Sequence, residues 1–131
     1  MSPNKSAKLL FGRIKNEYGA IQVSEEVVAT ITGSVVSECY GVMGMASRKL
    51  TDDLSEILGR DSLERGVLTE WLDEKLNIQV FIVVEYGTRI SEVANNVIRQ
   101  VHYSVSELTG LPVHEVKVVV RGVRVVNPKS V

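Results

Sequence analysis

At 131 residues, 44% apolar and 24% charged, the chain has the composition of one globular domain that buries a core without metal or disulfide support. Its single cysteine, Cys39, excludes an intrachain disulfide and a cysteine-based zinc site, and a net charge of −1 gives no global pull toward nucleic acid or anionic lipid. The start lacks the apolar core of a signal peptide, and the longest strongly apolar run, residues 80–84, is too short to span a bilayer, so a cytoplasmic protein is expected.

In chain order, residues 1–16 carry Lys5, Lys8, Arg13 and Lys15 with no acid and read as a flexible basic arm. Residues 18–23 alternate like a short strand. Ser24 sits where an N-cap belongs, Glu25 and Glu26 suit the helix dipole, and Val27, Val28, Ile31, Val35, Val36 and Cys39 form a stripe predicting a helix over 25–40. Gly33 inside it suggests close packing against a neighbour, and Gly41 is a natural residue to end it. A short strand over 42–46 and a short helix around Leu50, Leu54, Ile57 and Leu58 follow, the second within the acidic stretch 52–74.

Residues 67–72 and 76–86 flank the turn-like Asp73-Glu74-Lys75 and predict a β-hairpin. Its second arm puts Ile78, Val80, Ile82 and Val84 on one face and Asn77, Gln79, Phe81, Val83 and Glu85 on the other. Ile90, Val93, Ala94, Val97, Ile98, Val101, Val105 and Leu108 keep a helical seam, with Thr88 or Ser91 as its cap and Gly110 as its end. A last strand spans 113–125, and its valines change parity past Gly122, which predicts a bulge.

The expected fold is α+β: a small mixed or antiparallel sheet covered on one face by two long helices, with a hairpin in mid-chain. Residues 17–127 are its single domain, and 128–131 a short tail. His102 and His114 fall on different elements with no acid at motif spacing, Cys39 lies on the apolar stripe, and no nucleotide, metal or hydrolase motif occurs. No catalytic residue, cofactor or metal is therefore assigned, and the expectation is a non-enzyme.

Two loops are candidates for binding. Gly41-Val42-Met43-Gly44 has the G-x-x-G form by which KH domains clamp a nucleotide backbone, with Arg48 and Lys49 following. Tyr86-Gly87-Thr88-Arg89 offers helix-start N–H groups, a hydroxyl and a guanidinium, a corner suited to an anion or a partner. The apolar side chains on both faces of the late strands, Phe81, Val83 and Val119 among them, suggest self-association or partner docking.

Four segments, YGAIQVSEEVV (18–28), ECYGVMGMASR (38–48), VFIVVEYGTRISEVANNV (80–97) and VKVVVRGVRV (116–125), together resemble the alkaline shock protein, or envelope stress response, family of Gram-positive bacteria. They are closest in form to its short housekeeping-type members. The resemblance implies a non-enzymatic interaction or scaffold protein of cell-envelope homeostasis, acting by protein–protein contact, in some members held under the membrane by a separate anchor protein. A long charged tail of the larger members is absent after Asn127-Pro128. Alternatives are a KH-type single-stranded nucleic-acid-binding module and a small anionic-ligand or acyl-enzyme accessory domain using the corner at 86–89.

Overall fold

The structure, a computed structural model, describes residues 11–49 and 57–126. In chain order its elements are β1 (Arg13–Asn16), β2 (Gly19–Gln22), α1 (Glu25–Ser37), β3 (Val42–Met45), a 3-10 segment (Arg60–Gly66), β4 (Val67–Leu72), β5 (Lys75–Glu85), α2 (Ile90–Thr109) and β6 (Val113–Arg124).

Everything is arranged around β5. Along one side it pairs antiparallel with β4 through residues 75–80 and with β3 through residues 82–84, the two short strands lying end to end. Along its other side it pairs in parallel with β6, the long return that a helical crossover such as α2 provides. The sheet is therefore mixed, and two helices cover one face. The β4–β5 connection is a two-residue turn in which Asp73 (φ 51°) and Glu74 (φ 60°) both take positive φ, the conformation that matches the twist of a tight hairpin.

Leu76, Ile78, Val80, Ile82 and Val84 all enter the main core, together with Val28 and Val36 of α1 and Val93, Val97, Val101 and Val105 of α2. Four α2 valines at successive turns are fully or almost fully buried, whereas Ile90 and Leu108 at the ends of the predicted seam are exposed. Helix α1 ends earlier than its apolar stripe suggests, because Glu38 and Cys39 donate to carbonyls three residues back and tighten the last turn before Gly41 (φ 84°) redirects the chain. Val27 is exposed; Val28, Ala29, Thr32, Gly33 and Val36 are the buried face. Gly33 is small because Leu63 of the 3-10 segment lies against it, with Leu63 Cβ 2.8 Å from where a side chain would begin.

Several expectations need correction. Arg13–Asn16 is not part of a flexible arm: it forms β1 and pairs with β2 in a separate two-stranded sheet. Phe11, within the expected arm, is buried and meets Trp71 at a ring distance of 6.0 Å, so the apolar contact fixes this residue just before β1. Residues 1–10 and 127–131 lie outside the described residues, as do residues 50–56 of the expected short helix; Ile57 and Leu58 are in no regular element. Ser24 caps α1 as predicted, accepting from the N–H of Val27 at 3.2 Å. Neither Thr88 nor Ser91 caps α2: Arg89 is its N-cap and its side chain makes no capping hydrogen bond.

The second face of β5 is divided. Phe81 and Val83 are buried, with Ala46, under Met43, Ile57 and Val119. The apolar face expected to drive self-association is thus covered within the chain. The predicted bulge is present, Ile82 pairing with Val120 but Val83 with Gly122. It frees Arg121 to lay its guanidinium 5.6 Å from the Phe81 ring and to donate to the Ser47 carbonyl at 2.8 Å. Below Phe81 the same face is open, with Asn77 and Gln79 beside Glu70 and Leu68 of β4 and Glu115 and Lys117 of β6.

Candidate interaction surface

The side chains with chemical potential are spread over separate elements. His102 is exposed on α2 with Nε2 3.2 Å from the Val113 carbonyl, and His114 is exposed on β6. Cys39 is buried after α1, its thiol donating to the Val35 carbonyl at 3.4 Å. Burial, and secondarily the charge of Glu38, pushes that thiol above its ordinary pKa and so disfavours the reactive thiolate. Among the described residues no three His, Cys, Asp or Glu side chains are grouped to hold a metal ion.

The G-x-x-G residues do not form a free loop. Gly41 turns the chain out of α1, and Gly44 is inside β3, opposite Val83 and packed so closely against Ile57 that a side chain there has no room. Arg48 is held on the start of β4, its backbone N–H donating to Arg65 (3.0 Å) and its guanidinium to Val67 (2.7 Å). Lys49 is exposed, its backbone N–H donating to Ser47 Oγ at 3.2 Å. A backbone clamp needs an accessible loop, and here the glycines serve a helix end and a sheet edge.

At the second candidate, Gly87 makes the turn at φ 95°. The Thr88 hydroxyl donates to the Glu85 carbonyl at 2.7 Å, and Arg89 pairs with Glu92 at 3.1 Å in the open. Both side-chain donors of the supposed anion pocket are thus engaged within the chain. What the corner does instead is join three segments. Glu85 donates its N–H to the Gly41 carbonyl (2.9 Å), and Tyr86 donates to the Arg124 carbonyl (2.9 Å). Tyr40, Tyr86, Ile90, Val123, Val125 and Val126 are consequently gathered at one end of the sheet, and all are exposed, Tyr40 to 81% and Tyr86 to 69%. A shallow cavity of about 470 Å³ beside Tyr40 is lined by it together with Arg89, Glu92, Val93, Asn95, Asn96 and Arg99 of α2 and its start.

Sequence reasoning does not reach Tyr40 or the valines after Gly122 as site residues. Tyr-Gly occurs three times, at 18–19 in the β1–β2 turn and at 40–41 and 86–87, so the pair by itself does not single out this surface. The pairs at 40–41 and 86–87 leave a helix and a strand at the same end of the molecule, which only the register between β3, β5 and β6 reveals.

The profile of the alkaline shock protein 23 family, cell envelope-related function, matches residues 13–125. YloU of Bacillus subtilis is 44% identical over 116 residues, 88% of this chain and 97% of that protein. Spy1614 of Streptococcus pyogenes serotype M6 is 32% identical over 116 residues, 88% of this chain and 96% of that protein. Among solved structures, a zinc form of the MamM CTD superposes with a TM-score of 0.45 at 12% identity, covering 78% of this chain and 86% of that one, too loose a likeness to assign anything further here.

Proposed function

The chain belongs to the alkaline shock protein family, a family of cell envelope-related function, and from that membership we propose that it is a non-enzymatic interaction protein of cell-envelope homeostasis, working by protein–protein contact. The observation that carries this reading is the convergence of Tyr40, Tyr86, Ile90, Val123, Val125 and Val126 on one end of the sheet. Exposed aromatic and β-branched side chains beside arginines are the composition of a contact surface, because they bury apolar area while losing little side-chain entropy. Hydrogen bonds from Glu85 and Tyr86 hold the contributing segments in a fixed relation, so the surface is built before a partner arrives.

No helix among the described residues is long and apolar enough to cross a membrane. Attachment to the membrane therefore runs, in this reading, through a partner such as a membrane anchor protein. The test is affinity capture from native cells with the intact chain and with a Tyr40→Ser, Tyr86→Ser variant. A defined cell-envelope protein captured by the first and lost with the second is the expected result. Capture that ignores both tyrosines removes the surface from the reading, and recovery of RNA in a salt-sensitive manner replaces it with nucleic-acid binding.

A further inference from the structure

Strand β6 leaves one edge of the sheet without a neighbour: among the described residues it pairs with β5 alone. Such an edge presents a row of backbone donors and acceptors spaced for another strand. Glu115 and Lys117 point to the open face of the sheet, and their lateral neighbours on β5 are the uncharged Asn77 and Gln79. Neither has an ion-pair partner among the described residues. The vacant lateral positions are on the outer side.

We infer that β6 is a homodimerisation edge, pairing antiparallel with β6 of a second copy about a two-fold axis at Val116. In that register Glu115 of each copy is opposite Lys117 of the other, on the open face, and Val116 meets Val116 on the helix side. Moving the axis by one residue sets Glu115 against Glu115 or Lys117 against Lys117, and like charges directly opposed are unfavourable. Moving it to Val118 sets Glu115 against Arg121, whose guanidinium is already held by Phe81 and Ser47. The pairing also has natural limits: the register shift at His114, where Leu76 pairs with Val113 but Asn77 with Glu115, bounds the regular ladder on one side and the bulge at Arg121 on the other. β4 and β3 offer only short edges by comparison.

A strand edge of this length covers less than the roughly 800 Å² per partner of a stable interface. The flank of α2 beside β6 supplies more: His102 is 3.2 Å from Val113, and a shallow cavity of about 430 Å³ there is lined by Ile98, His102 and the exposed Tyr103. The surface is distinct from the corner at 86–89, so either can fail without the other.

The test is sedimentation equilibrium of the full chain from about 1 µM to 1 mM, the range in which a small interface dissociates. A monomer–dimer equilibrium is expected for the native protein. Glu115→Lys alone and Lys117→Glu alone each place like charges opposite one another twice, raising the dissociation constant about tenfold or more. Mixing the two variants restores opposite charges at both positions, so the heterodimer forms with near-native affinity. Concentration-dependent slowing of amide exchange in residues 115–119 of the native protein is the second readout, independent of any variant. A strictly monomeric native chain, a dimer indifferent to both reversals, or a mixture no better associated than its components overturns the proposal.

Discussion

The two faces of β5 are made from one strand, yet they do different work. On the helix side Leu76, Ile78, Val80, Ile82 and Val84 are buried without interruption. On the other side Phe81 and Val83 are buried while Asn77 and Gln79 are only half-buried. The first face is sealed by two helices, whose area covers the whole strand. The second is covered, among the described residues, by Met43, Ala46 and Ile57, which shield only the end nearest β3. Alternation alone thus says which residues share a face, and the width of the covering element says how many of them are dry.

Substitutions along β5 and its neighbours measure how far the two faces differ. Ile82→Ala removes a fully buried side chain from the helix face and is expected to cost about 3–4 kcal/mol in urea unfolding. Phe81→Ala leaves a larger hole but in a small cluster that can settle, and loses the contact with Arg121; about 2–3 kcal/mol is expected. Equal losses at the two positions would mean that both faces are equally rigid cores. Gly44→Ala drives a methyl into Ile57 and is expected to destabilise by about 1–2 kcal/mol. Faster amide exchange at Phe81 and Val83, with Val80 unaffected, would place that damage on the side away from the helices. Smallest of all, Gln79→Ala on the open end should stay within about 0.5 kcal/mol, measured by the same unfolding curves. A larger loss there would show that this end of the sheet is covered.

Much of this architecture is legible in the chain. The four-valine seam of α2, the hairpin joining β4 to β5, the cap at Ser24, the tight fit at Gly33 and the bulge announced by the parity change at Gly122 all follow from local periodicity. Family membership is legible too, through the resemblance of four ordered segments. The departures have a common cause. Phe11 and β1 escape a sequence reading because their order comes from Trp71 and from β2, contacts that no period in residues 1–16 encodes. Thr88 stands at a cap position, but the turn at Gly87 aims its hydroxyl at Glu85 instead.

By itself, then, the sequence determined most of the elements and which residues share a face of each, since these depend on spacings of three or four residues in helices and two in strands. Which face would be covered, which glycines would be enclosed and which tyrosines would meet was decided by tertiary structure alone. Those outcomes depend on the register of β3, β4 and β6 against one central strand, and that register is fixed by contacts between residues far apart in the chain.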